Sequence, residues 1–194
     1  MVSIHCYIQI NIMSTFPVFT LDSAPEESKP ALNGLAQAFG MVPNIAGAMA
    51  GSPKLINGLV GVFQQVHGGS FTEAQIQTLL LTNAVTNGAT WAVAFHSFLA
   101  LKEGLNEADV NAIRERRLPQ DSKLAALSRL ARALIERRGQ VGEHDIASFT
   151  AAGFEQALVL EVILVVAAST MTNYTASVAR PPLEDLFQPY FWQA

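Results

Sequence analysis

The chain has 194 residues, half of them hydrophobic and 14% charged, with a formal net charge of -4. That composition excludes disorder and allows one domain with a sizeable core. The acidic balance gives no electrostatic footing for nucleic acid. One cysteine, Cys6, excludes an internal disulfide, and the four histidines (His5, His67, His96, His144) show no metal-ligand spacing. No metal and no cofactor is expected.

In chain order, the first dozen residues lack a basic n-region and a small-residue cleavage site, so no secretory leader is expected. Residues 1–15 are expected to form a poorly ordered extension, 16–194 one helical domain, and the cytoplasm is the default compartment. Ser28 and Pro30 open a short helix that stops at Gly40. Pro43 begins a small-residue segment ending near Gly51. Ser52-Pro53 starts a helix whose Leu55, Leu59, Val62, Phe63 and Val66 recur at helical spacing, and His67-Gly68-Gly69 stops it. His67 therefore reads as a loop residue.

Thr72 with Gln75 has the form of a capping box leading into Ile76, Leu79 and Leu80. Asn87-Gly88 breaks that helix, and the next runs from about Ala89 to Glu103. Asn106 caps a short helix through Ile113. Leu124, Leu127, Ala131 and Leu134 share one face of a helix ending at Gly139. The arginines from Arg114 to Arg138, interleaved with Glu115 and Glu136, read as a solvated face.

Asp145 to Ala152 is a further short helix. Phe154 to about Val178 is long and apolar, which places it at the centre of a bundle. Its most apolar stretch, Ala157–Ala168, is shorter than a bilayer span and carries Glu161, so no membrane association is expected. An aromatic tail, Leu186, Phe187, Tyr190, Phe191 and Trp192, needs a docking surface and is expected to cross to a neighbouring subunit.

The segment from Phe71 to Leu105, with Asn87-Gly88 followed by Ala89, Trp91, Ala92 and His96, resembles the core of the alkylhydroperoxidase D / carboxymuconolactone decarboxylase family. There a helix ends in Asn-Gly and the next begins Cys-x-x-Cys-x-x-x-His. The later text, from Ile146 through the Ala151-Ala152-Gly153-Phe154 turn to Trp192, is also similar. The resemblance implies an all-α single-domain bundle of about eight helices and a homo-oligomer, whether dimer, trimer or hexamer.

It also implies a dithiol peroxide chemistry whose parts are missing here. The thiolate is the reagent in such a cycle, activated at a helix N-terminus. Ala89 and Ala92 stand at the two cysteine positions, and Gln77 stands where the family often carries a glutamate. Asn173-Tyr174-Thr175-Ala176-Ser177 lacks the second histidine. Cys6 alone has no resolving partner.

His96 remains the candidate catalytic residue. It is either a packed core histidine or a general acid/base poised near neutral pH. Gln77, Asn87, Trp91 and Glu161 are the candidates for its pocket, with Glu161 facing a groove, His96 or an arginine. Two functions follow. The first is a ligand-binding or structural protein, its emptied thiol site leaving a small apolar cavity for a small-molecule ligand. The second is a non-redox enzyme resembling the decarboxylases, in which His96 moves a proton while an arginine holds a small carboxylate or lactone. Whether an Arg or Lys reaches His96 separates them.

Overall fold

The computed structural model describes residues 16–193. The expectations for residues 1–15, Cys6 among them, lie outside that range. The described residues form nine α-helices: α1 (Lys29–Phe39), α2 (Asn44–Met49), α3 (Pro53–His67), α4 (Glu73–Thr86), α5 (Thr90–Lys102), α6 (Glu107–Arg114), α7 (Ser122–Glu136), α8 (Glu143–Ala151) and α9 (Leu158–Ala179). Short 3-10 helices cover Glu26–Ser28 and Asp185–Tyr190, and no strand occurs among the described residues.

The boundaries follow from local chemistry. Ser52, Asn106 and Asp121 each accept a hydrogen bond from a backbone N–H three residues on, at Leu55, Asp109 and Leu124. Thr72 and Gln75 satisfy one another's backbone N–H groups at the start of α4. Gly40 ends α1 with φ 74°, a conformation that costs glycine least. Gly47 serves a close approach instead. The extended chain at Phe19 donates its N–H to Gly47 O at 3.1 Å, and a Cβ on Gly47 would lie 2.6 Å from Phe19 O.

The centre of the bundle is α4, where the sequence pattern pointed to α9. Residues from Ile76 through Val85 are buried without a break, and α4 packs against α3, α5, α6, α7 and α9. A helix buried on every side needs side chains that tolerate burial all round, and α4 has them. By contrast α9 buries one face, including Val162, Val165, Ser169 and Asn173, and leaves Leu160, Ile163, Tyr174 and Val178 exposed. It begins at Leu158 because Phe154 turns inward to stack on Phe149, with centroids 4.7 Å apart. At 22 residues α9 is long and apolar enough to cross a membrane by length and composition, unlike the Ala157–Ala168 stretch taken alone.

Two other expectations change. Part of the aromatic tail packs on its own domain, while Leu186 and Phe191 are exposed. Phe187 is buried against Trp91, Phe95 and Phe98, and Trp192 Nε1 donates to Arg114 O. The arginines are not simply solvated. Arg114 donates to Ser97 Oγ, Tyr190 O and Phe191 O, Arg116 to Val85 O, and Arg132 to Arg116 O. The partners are carbonyls at the end of α4, after α6 and in the tail, together with the Ser97 hydroxyl of α5.

Candidate functional site

The α4–α5 corner is built by Asn87 and Gly88. Asn87 caps α4 and donates its side-chain amide to Asn83 O at 2.8 Å, and Gly88 takes φ 66° to turn the chain. Ala89 is then the N-cap of α5, without a side-chain cap, and Ala92 lies in its first turn. Both are buried, at 1% and 0% exposure. A methyl group at either position can neither attack nor carry a proton, and neither alanine faces solvent.

One turn beyond Ala92, His96 is buried between α5 and α4. Its Nδ1 lies 3.0 Å from Gln77 Oε1. A carbonyl oxygen can only accept, so Nδ1 carries the hydrogen and Nε2 the lone pair. Burial first, and His67 second, pull the His96 pKa from 6.5 down to about 3. The ring is therefore neutral at physiological pH, and the expected poise near neutrality is not present. A charge in this apolar setting would cost more than one hydrogen bond returns.

Beside this pair lies a cavity of about 330 Å³. Leu35 and Phe39 of α1, Ala46 of α2, and Leu59 and Phe63 of α3 form one wall, with Leu80, Trp91, Phe95 and Leu99 opposite. Its polar lining is Gln64, His67, Gln77, His96 and Thr172. No Arg, Lys, Asp, Glu or Cys of the described residues lines it. Nor do Ala89 and Ala92, so the space is not the small cavity expected at those two alanines. The amino-terminal helices α1–α3 create it by standing off α4 and α5.

Of the predicted residues, Gln77, Trp91 and His96 meet at this cavity. Asn87 stays at the corner. Glu161 meets neither His96 nor an arginine. It accepts from Ser70 N at 2.8 Å and Ser70 Oγ at 2.7 Å, which ties α9 to the α3–α4 turn. Arg180 sits exposed in the left-handed conformation at the end of α9, away from His96.

Two residues at the site were missed. His67 is the last residue of α3, not a loop residue. It lines the cavity, stacks on Phe63 and donates Nδ1–H to Glu73 at 3.0 Å. The four-residue spacing from Phe63 to His67 was the available signal. Glu184 accepts from Trp91 Nε1 at 2.9 Å and from Asn44 N at 2.6 Å, so it locks the tail to α5 and α2. No local pattern foretells a contact across 93 or 140 positions.

No family model and no curated protein matches the sequence. Solved structures do match. An uncharacterized peroxidase-related protein from Ralstonia eutropha JMP134, described as an alkylhydroperoxidase AhpD core, superposes with TM-score 0.80 at 16% identity, over 90% of this chain and 94% of that one. Another from Silicibacter sp. TM1040 gives 0.76 at 16% identity, over 92% and 97%. The debrominase Bmp8 in complex with 2,3,4-tribromopyrrole gives 0.74 at 16% identity, over 92% and 96%. Together with the nine-helix order and the Asn87-Gly88 corner, these likenesses establish that the chain has the alkylhydroperoxidase D-like fold.

Proposed function

We propose that this protein binds a small, apolar molecule in the cavity between α1–α3 and α4–α5 and performs no dithiol hydroperoxide chemistry. The observation that carries the reading is the cavity itself: about 330 Å³ of space with a mainly apolar lining and, in its wall, the buried polar residues His96, Gln77 and Thr172, the first two hydrogen-bonded to one another. That is the composition of a small-molecule site. Ala89 and Ala92, sealed at the start of α5, offer no nucleophile beside it. A protein of the same fold, the debrominase Bmp8, was solved with a small halogenated ring bound, which supports the scaffold's capacity for such a guest.

The decarboxylase-like alternative requires an arginine to hold a carboxylate, and no Arg or Lys of the described residues lines the cavity. A neutral His96 with a pKa of about 3 is also a weak base for proton abstraction. We further propose that the protein is a homo-oligomer. The apolar residues left exposed along α9 support this reading.

Calorimetric titration with bromobenzene tests the ligand reading. Saturable one-to-one binding is expected, at least tenfold weaker in Gly34→Trp. Gly34 is an exposed residue at the edge of the cavity lining, and a Cβ there meets nothing within 4 Å, so a larger side chain can be placed at that edge without disturbing the helix. Absence of binding to the native protein overturns the proposal. In parallel, consumption of cumene hydroperoxide with a dithiol reductant is expected to stay at the blank rate. Turnover that survives Cys6→Ser would reveal a nucleophile elsewhere.

A further inference from the structure

Most buried polar atoms in this protein are paired within it. Among the described residues, those that are sealed and unpaired are Asn83 Nδ2, Asn83 Oδ1 and Asn173 Oδ1. His96 Nε2 and Gln77 Nε2 differ from them. Neither has a hydrogen-bond partner among the described residues, since the one bond between these side chains joins His96 Nδ1 to Gln77 Oε1. Yet neither is among the sealed atoms. The two residues are only 5% and 3% exposed, and both line the cavity. The surface that these nitrogens retain therefore opens onto the cavity.

The tautomer decides what that surface offers. With Nδ1–H committed to Gln77, His96 Nε2 is a bare acceptor, and the Gln77 amide keeps a donor beside it. An acceptor at the wall of an apolar cavity favours a guest that brings its own N–H or O–H, because a guest without one leaves the lone pair unsatisfied. The same wall disfavours an anion. No Arg or Lys lines the cavity, and a carboxylate would be stripped of water with nothing to balance it.

We propose that the cavity selects neutral ring-sized ligands carrying a hydroxyl or N–H donor, held by His96 Nε2 with Gln77 fixing the tautomer. This deepens the ligand-binding reading above and rests on it. The specificity comes from the buried acceptor of His96, not from shape alone: the apolar walls accept any ring of suitable size, and this imidazole selects among them. Gln77 acts as a positioning residue. A carboxylate at that position would also orient the ring but would favour its protonated form, and the lone pair at Nε2 would be lost.

Phenol, anisole, toluene and benzoate, titrated calorimetrically at pH 7 into native protein and into His96→Phe, distinguish the outcomes. Native protein is expected to bind phenol about fivefold more tightly than anisole, the range of one neutral hydrogen bond. Anisole is the more hydrophobic of the two, so lipophilicity works against this result. In His96→Phe the preference is expected to vanish or reverse while toluene binding persists. Phenol affinity is also expected to be flat from pH 5 to 8.

Equal binding of phenol and anisole by the native protein overturns the acceptor role and leaves the ligand-binding reading standing. Failure of phenol, anisole and toluene to bind overturns that reading too. Tightest binding of benzoate contradicts both, because it requires a cation that the cavity wall lacks. Should His96→Phe fail to fold, the native comparison of phenol with anisole decides the matter.

Discussion

At the scale of single residues, His96 shows how burial changes what a side chain can do. A histidine in the open titrates near 6.5, but here desolvation and the neighbouring His67 lower the value to about 3. In the folded protein the ring is therefore unprotonated between about pH 3 and 6.5, whereas in the unfolded chain it takes up a proton. The unfolded state then binds more protons, so stability falls as pH falls through that window. The slope contributed by His96 approaches about 1.4 kcal/mol per pH unit. Denaturant unfolding of the native protein at pH 7, 6, 5 and 4 is expected to show this loss, and His96→Gln to show a shallower one. Identical slopes in the two proteins would mean that the ring is solvated. The same residue explains why candidate chemistry was only partly legible. The position of His96 relative to Ala92 was plain in the sequence, while its neutrality depends on the burial that the fold imposes and, second, on His67.

At the scale of elements, the chain relies on caps and on a few long-range brackets. The caps at Ser52, Thr72 and Asn106 were readable because each depends on residues within one turn. The brackets were not. Glu184 accepts from both Trp91 and Asn44, joining the tail to α5 and α2. Glu184→Ala leaves the half-buried indole N–H without its acceptor and is expected to destabilise the protein by about 1–3 kcal/mol. Glu184→Gln, which keeps an acceptor oxygen, is expected to recover part of that loss. Thermal unfolding, with indole fluorescence followed alongside, measures both, and an unchanged melting temperature in Glu184→Ala would show that water replaces the bracket at no loss. Glu161 is the counterpart at the other end of α9. Its carboxylate looked costly in an apolar stretch, and the tertiary structure satisfies it with Ser70.

At the scale of the whole molecule, α9 is the element whose surroundings are incomplete. Leu160, Ile163, Ala167, Tyr174 and Val178 are exposed along one stripe, with Leu160 at 69%, Tyr174 at 61% and Val178 at 66%. Their separations of three, four and seven residues match the repeat by which one helix packs on another. The opposite face, with Ser169, Thr172 and Asn173 buried, is held by the bundle. That division suits a helix–helix contact between copies better than a bilayer, which would require an apolar surface all round. Light scattering is expected to give a mass that is a multiple of 20.9 kDa, and the pair Leu160→Glu with Val178→Glu to reduce it to a single chain. A native mass of one chain at micromolar concentration would refute the proposed assembly. The tail, once expected to make the crossing, is occupied within its own domain by Phe98, Arg114 and Trp91.

The sequence by itself determined the helical class, the order of the helices, most of their caps, and the absence of a thiol from positions 89 and 92, where Ala89 and Ala92 stand. These properties depend on periodicity, on residues a turn apart, or on the identity of one side chain. Only the tertiary structure decided that α4 and not α9 is central, since both are apolar and the difference lies in how much of each helix its neighbours cover: α4 is buried from Ile76 through Val85, whereas α9 keeps Leu160, Ile163, Tyr174 and Val178 exposed. It alone separated the cavity from the alanine pair, because that space arises where α1–α3 stand away from α4 and α5. It alone made His96 neutral and left Nε2 facing the cavity. Hydrophobic pattern specifies which surfaces leave water, but the partners that meet once they do are set by contacts between residues far apart in the chain.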